Sequence, residues 1–175
     1  CINSVLGQDY KNIEYIVIDG GSTDGTLSII EGFKNQIHYF ISEADREMYD
    51  ALNKGIKVAS GDIVGILNAD DLLATKDVIS NVVNAFEQNK GEGVYGNLNY
   101  IDGSPSKKVL RKWVSKQFVN KDILLGWMPA HPTLYLKREL FDRFGYYSLD
   151  FGTVADYELM VRYLYVCKIN AHFLD

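Results

Sequence analysis

The passage from Tyr15 to Phe33 constrains this chain most. Tyr15-Ile16-Val17-Ile18 is a short β-branched and apolar run that stops at Asp19-Gly20-Gly21-Ser22-Thr23-Asp24-Gly25. Leu27, Ile29, Ile30 and Phe33 then recur at helical spacing. A buried strand, a glycine turn and a helix thus follow in direct succession. Ser22, Thr23 and Asp24 are the N-cap residues expected for that helix. The unit repeats with a strand over 37–41 and a helix whose Met48, Ala51, Leu52, Ile56 and Ala59 share one face. Gly61 is expected to stop that helix. A third strand over 63–67 runs straight into Asn68-Ala69-Asp70-Asp71. Such alternation predicts an α/β protein, with a parallel, doubly wound sheet and helices on both faces.

Beyond it, Val78, Ile79, Val82, Val83 and Phe86 mark a helix bounded near Gly91. A strand over 94–101, a turn at Asp102-Gly103-Ser104-Pro105 and a strand over 109–114 follow. Residues 118–125 can be helical. A strand over 133–136, a short helix over 138–144 closed by Gly145, a longer helix over 154–166 and a strand over 169–174 complete the reading. Residues 2–7 read as the end of a helix with no strand before it. A parallel α/β unit normally opens on a strand, so a missing first strand is expected, and the lack of an initiator Met agrees.

Composition excludes several classes. With 175 residues and 47% apolar content, the chain is expected to form one domain with a real core. Eighteen Lys and Arg against 23 Asp and Glu give a net charge of −5, which argues against a broad nucleic-acid surface. Cys1 and Cys167 are too few for a disulfide framework or a zinc cage and are expected to be reduced thiols. No apolar run approaches the roughly 20 residues that span a bilayer. No basic start followed by an apolar stretch suggests a signal peptide.

In an open α/β sheet, ligands bind beyond the carboxyl ends of the strands. Asp19 lies there, and so does the pair Asp70-Asp71. A carboxylate pair on a loop calls for a cation or hydrogen-bond donors, and a divalent metal bridging a diphosphate supplies both. Each cluster also has a plainer reading. The glycine turn suits a tight connection with a helix cap, and Asp70-Asp71 suits a helix start. The turn is neither a dinucleotide fingerprint nor a calcium loop: its glycine spacing and acidic positions fit neither. Lys107, Lys108, Arg111 and Lys112 beside Trp113 fit either a solvated strand face or a contact with a diphosphate or an anionic membrane lipid. Tyr146, Tyr147 and Phe151 fit either core packing or stacking on a sugar ring.

The ordered set is more specific than any one motif. Ile16-Val17-Ile18-Asp19-Gly20-Gly21-Ser22-Thr23-Asp24-Gly25-Thr26, Ser42-Glu43-Ala44-Asp45, Tyr49-Asp50-Ala51-Leu52-Asn53-Lys54-Gly55, Leu67-Asn68-Ala69-Asp70-Asp71, His131-Pro132-Thr133 and Ala155-Asp156-Tyr157-Glu158-Leu159 together resemble the family 2 glycosyltransferases of GT-A fold. The resemblance covers nearly the whole chain. It implies a mostly parallel twisted sheet in a three-layer α/β/α arrangement, as one domain over 1–175 that lacks its first strand and a C-terminal region. It implies inverting transfer of a sugar from a nucleoside diphosphate, with a UDP-sugar as the expected donor, to a carbohydrate or lipid-linked carbohydrate acceptor. The pathway it suggests is bacterial capsule, O-antigen or exopolysaccharide synthesis. The expected location is cytoplasmic, with peripheral membrane contact.

Carried over residue by residue, Asp19, with Gly21 and Ser22 in its loop, falls on the nucleotide side. Asp45, Asp50 and Asn53 fall where relatives line the base and ribose, and Asp70 also belongs to the nucleotide site. Many relatives have a second Asp where this chain has Gly20. Asn68-Ala69-Asp70 occupies the family's Asp-x-Asp position, so Mg²⁺ or Mn²⁺ is expected on Asp70 and Asp71. Asp156 matches the catalytic base. His131 matches a residue of the acceptor or phosphate side, while Glu158 is expected to be structural. Two rivals remain: a GT-A module that binds a nucleotide-sugar without catalysis, and a nucleotidyltransferase on a related sheet.

Overall fold

The computed structural model describes residues 1–104 and 106–175; Pro105, in the turn expected after residue 101, lies outside them. A short helix α1 (Ile2–Leu6) leads to strand β1 (Ile16–Asp19), helix α2 (Thr26–Glu31), strand β2 (Tyr39–Ser42), helix α3 (Met48–Val58) and strand β3 (Ile63–Gly65). The N-cap of α2 is Gly25, not Ser22, Thr23 or Asp24 as expected; Asp24 supports the helix start from one residue further out, its Oδ1 accepting from the Thr26 N–H at 2.9 Å. Helix α3 ends at Val58, earlier than Gly61 suggested, because the Glu14 carboxylate takes the next turn. It accepts from the Ser60 N–H at 2.7 Å, the Ser60 hydroxyl at 3.0 Å and the Gly61 N–H at 3.2 Å. Gly55 lets α3 lie on β1, since a Cβ there would sit 3.3 Å from Ile18.

Helix α4 (Val78–Asn89) closes on Lys90 in the left-handed region (φ 48°). Strands β4 (Gly93–Tyr95), β5 (Leu98–Ile101) and β6 (Val109–Trp113) follow. One strand was expected over 94–101, but Gly96 and Asn97 divide it. The Gly96 N–H donates to Thr133 Oγ1 at 3.0 Å and Asn97 Oδ1 accepts from the Ser115 N–H at 2.8 Å, so side chains replace the ladder there. Helix α5 (Asn120–Leu124), strand β7 (Tyr135–Lys137), helix α6 (Glu139–Phe144), helix α7 (Ala155–Met160) and strand β8 (Ala171–Phe173) complete the chain. Thr133, expected in a strand, instead ends a 3-10 turn from His131 to Thr133. Past α7, the turns over Val161–Val166 widen to a π-helix, so the long helix expected over 154–166 is a composite.

The strands form three groups. β1 and β2 pair in parallel, with Ile16 opposite Tyr39 and Asp19 opposite Ser42. The order of the second group is β3-β7-β4-β8; β7 runs antiparallel to both neighbours, and β4 and β8 are parallel. β5 and β6 make an antiparallel hairpin. β3 and β7 approach closely because residue 65 is glycine: a Cβ there would lie 2.1 Å from the Tyr135 ring.

The main core sits on the second group and includes Tyr95, Leu136, Leu140, Phe141, Leu159 and Leu164. Val82, Ala85, Phe86 and Val94 form a smaller core under α4. Between β1 and β3, which do not pair, lies a cavity of about 1010 Å³. Val17, Ile18, Ile30, Val64, Ile66 and Val82 are among the side chains lining it.

Candidate active site

Asp19 ends β1 and is 7% exposed. Its Oδ2 accepts from the Gly21 N–H at 3.0 Å, the Ser22 N–H at 2.9 Å and the Ser42 hydroxyl at 2.6 Å. Its Oδ1 accepts from the Ser22 hydroxyl at 2.5 Å. Burial pushes this carboxyl upward, but the bonds from Ser22, Ser42 and Gly21 outweigh it and hold it below the ordinary aspartate range. Gly21 makes the turn possible: its φ is +85°, a conformation that L side chains rarely adopt. The expected nucleotide-side residues Asp19, Gly21 and Ser22 thus form one rigid, negatively charged turn, which Ser42 braces from the neighbouring strand.

Asp45 and Asp50 share a cation. The Lys54 ammonium bonds Asp45 and lies 2.8 Å from Glu43 and 3.6 Å from Asp50. Asp45, followed by Glu43, drives the Lys54 pKa well above its usual value. Asp45 also faces the bare Gly20 backbone: a Cβ on residue 20 would come within 3.1 Å of Asp45 Oδ2. A larger residue here would crowd the position that the Asp45 carboxylate takes.

Asn53 is buried on α3 and spends its amide on the main chain. Its Nδ2 donates to the Tyr147 carbonyl at 2.8 Å and its Oδ1 accepts from the Tyr147 N–H at 3.0 Å. One turn earlier, Tyr49 is 5% exposed and stacks on the Tyr147 ring at 5.3 Å. Its hydroxyl lies 3.4 Å from the Thr153 carbonyl. Burial, then the Asp156 charge, raises the Tyr49 pKa. The first two turns of α3 therefore serve both sets: Asp50 and Lys54 belong to the acid–lysine cluster, while Tyr49 and Asn53 brace the loop before Asp156.

Asp156 lies in the first turn of α7, where free N–H groups and the helix dipole favour a carboxylate. Its Oδ1 accepts from the Tyr157 N–H at 2.8 Å. Its Oδ2 lies 3.1 Å from His131 Nδ1, and the Asp156 side chain is 14% exposed. His131 Nδ1 is buried without an aligned hydrogen-bond partner, so this contact is its polar neighbour. Trp113 meets the His131 ring edge-on at 6.1 Å. Glu158 engages Arg162 through two bonds of 2.7 and 2.8 Å, and Arg162 in turn holds the Gly145 and Tyr146 carbonyls. Of the aromatics that precede Asp156, Tyr147 is packed and Phe151 is 52% exposed.

Asp70 and Asp71 stand apart from this brace. Asp70 is exposed. The Asp71 N–H donates to the Asn68 carbonyl at 3.0 Å, and Asp71 Oδ2 accepts from the Asn68 amide at 3.2 Å. Among the described residues, no group of three or more His, Cys, Asp or Glu side chains is gathered to hold a metal ion. The donor set still fits a hard cation: two carboxylates on an open turn leave the other positions to phosphate oxygens and water, which is how Mg²⁺ is usually held.

Sequence reasoning missed three residues here: Ser42, Lys54 and Tyr49. All three lie inside segments already singled out, so a hydroxyl, a cation and a phenol among those acids were the available signal.

An α/β chain with acidic turns after its strands and a carboxylate at a helix entry matches one fold class, GT-A. TarS from S. aureus (residues 1–349, in complex with UDP) superposes with a TM-score of 0.77 at 19% identity, over 99% of this chain and 52% of that one. The mannosyltransferase PcManGT from Pyrobaculum calidifontis, in complex with GDP-Man and Mn²⁺, gives 0.70 at 21% identity, over 99% and 49%. The family model described as Glycosyl transferase family 2 matches residues 1–151, and the chain belongs to that family. It is 34% identical over 180 aligned positions to an uncharacterized glycosyltransferase of Mycobacterium tuberculosis, covering 95% of this chain and 63% of that protein. A PGL/p-HBAD biosynthesis glycosyltransferase of Mycobacterium bovis is 28% identical over 167 positions, covering 93% and 62%. The chain thus spans less than two thirds of these relatives' length.

Proposed function

We propose that this chain is the catalytic GT-A domain of an inverting, metal-dependent glycosyltransferase of hexosyl type. The observation that carries the reading is the state of Asp156: a carboxylate at a helix entry, flanked by His131 and Tyr49. Helix α3 ties it to the acid–lysine cluster of Asp45, Asp50 and Lys54. In the reaction, Asp156 takes the proton of an acceptor hydroxyl as that oxygen attacks the anomeric carbon. The bond from that carbon to the diphosphate breaks on the opposite face, and the nucleoside diphosphate leaves with the electron pair. His131 holds Asp156 from the acceptor side.

The Asp19 turn and Asp45 present fixed hydrogen-bonding groups to the nucleoside, while Asn53 keeps Tyr147 and the base's loop in place. Asp70 and Asp71 would hold Mg²⁺ or Mn²⁺, which neutralises charge on the departing diphosphate when bound. Family membership and the nucleotide complexes of TarS and PcManGT support a nucleotide-sugar donor, a UDP-sugar first among them. A carbohydrate or lipid-linked carbohydrate acceptor in bacterial capsule, O-antigen or exopolysaccharide assembly, on the cytoplasmic side of the membrane, completes the proposal. Among the described residues, no helix is long and apolar enough to cross a membrane.

The same reading assigns the cavity between β1 and β3 to the expected first strand. Two strands face it without pairing across it, and apolar side chains line it.

The test is calorimetry with UDP and GDP, with and without Mn²⁺, followed by donor hydrolysis. We expect metal-dependent nucleotide binding that Asp70→Asn weakens, and slow release of the nucleoside diphosphate from a matching donor. Binding without turnover in the full-length protein would favour a nucleotide-sugar-binding module.

A further inference from the structure

The hairpin β5–β6 carries a charge asymmetry that the proposed reaction does not use. Residues 103–121 hold six of the 18 Lys and Arg and not one Asp or Glu. All 23 acids therefore lie elsewhere, with 12 basic residues among them. Among the described residues, Lys107, Lys108, Arg111 and Lys112 make no ion pair, and all four are exposed.

The register divides the hairpin into two faces. Directly opposed residues share a face, and so do residues two apart on one strand. Leu98, Tyr100, Arg111 and Trp113 fall on one side, where Arg111 lies over the Tyr100 ring and Trp113 meets His131. Asn99 opposite Lys112 and Ile101 opposite Val109 fall on the other. A bulge beside Tyr100 adds Leu110, which is 65% exposed, to Ile101 at 36% and Val109 at 42%. Three apolar side chains thus stand exposed beside Lys107, Lys108 and Lys112, while the hairpin touches the candidate site by its other face, the one that carries Arg111.

We infer that this hairpin is a docking surface for an anionic lipid bilayer. The cations are drawn to the negative headgroups. Leu110, Ile101 and Val109 are short enough to enter the interface, and the hairpin lies flat without spanning it. An acidic protein partner would also attract the cations, but flexible, closely spaced lysines around a small apolar tip suit a diffuse field of headgroups better than fixed carboxylates. The contact orients the molecule as well. Trp113 holds the hairpin to His131, so docking brings the Asp156 side to the membrane, where a lipid-linked acceptor is presented. That orienting role rests on the proposed function; the lipid contact does not.

Flotation of the protein with vesicles tests it. One set is phosphatidylcholine alone; the other is about one-third phosphatidylglycerol. We expect binding to the anionic set only, falling steeply as salt screens the charges. Removing cations should weaken it by about fivefold each, hence roughly a hundredfold for K107Q/K108Q/K112Q. L110S should weaken binding while keeping its salt dependence. Equal binding to neutral vesicles, no binding to anionic ones, or salt-insensitive binding would overturn the proposal; no binding to anionic vesicles would point to a protein partner instead. If the triple variant fails to fold by circular dichroism, wild-type salt dependence decides. Asp156→Asn should float like the wild type, so loss of the transfer reading and loss of the lipid reading are separate results.

Discussion

The two halves of this molecule are held together by different forces. The half built on β4, β7, β8, α6 and α7 buries Tyr95, Leu140, Leu159 and Leu164 almost completely. The half built on β1, β2 and α2 leaves Ile29, Tyr39 and Phe40 exposed and borders the large cavity. Its order comes instead from short polar bonds around Asp19. The contrast suits the proposed chemistry, in which a carboxylate base calls for a stiff, packed support and a nucleotide turn for fixed donors and acceptors at the surface.

Truncations break this comparison most directly. Leu136→Ala should cost about 2–5 kcal/mol, as buried leucines do. Leu27→Ala, at a residue 37% exposed, should stay within about 0.5 kcal/mol. Urea melts of the two variants check both, and equal losses would erase the distinction. Gly65→Ala should cost about 1–3 kcal/mol or more, because its Cβ would overlap the Tyr135 ring where β3 meets β7. The loss would show in the same melts, and an unchanged midpoint would mean that Tyr135 moves aside freely.

The smallest effect belongs to Asp19 and depends on pH. Its folded-state pKa lies below the ordinary 3.8, so its stabilisation is fully present above that value. It is lost as pH falls through the lower folded value. Thermal melts on lowering the pH from 5 should therefore drop more for the wild type than for Asp19→Asn. Ser42→Ala should reduce that difference and cost roughly 1 kcal/mol at neutral pH. Parallel acid curves for the wild type and Asp19→Asn would contradict the polar account of this half.

Local pattern was readable where structure is local. The β1–turn–α2 passage, the faces of α3 and α4, and the Asp19–Ser22 contact all lie within a few residues of their causes. What escaped depends on partners far along the chain. Glu14 ends α3 from 46 residues away, and Thr133 interrupts the strand expected over 94–101 from 37 residues away. No periodicity shows that β7 inserts antiparallel between β3 and β4. Within the candidate site, motif order singled out Asp19, Asp70 and Asp156, but not that Tyr49 and Asn53 brace the Asp156 loop. That support is a tertiary contact spanning 94 residues in the case of Asn53. Likewise, Asp45 and Asp50 were legible as acids, while the cation they share came into view only with Lys54 in place.

The central claim is that Asp156 is the group that takes the acceptor proton. The most direct measurement pairs sugar transfer with nucleotide binding in Asp156→Asn of the full-length protein. We predict that transfer falls by about 10²–10⁴-fold while affinity for the nucleoside diphosphate and the melting temperature stay near wild type. Transfer retained in that variant would contradict the account, and so would transfer lost only together with nucleotide affinity.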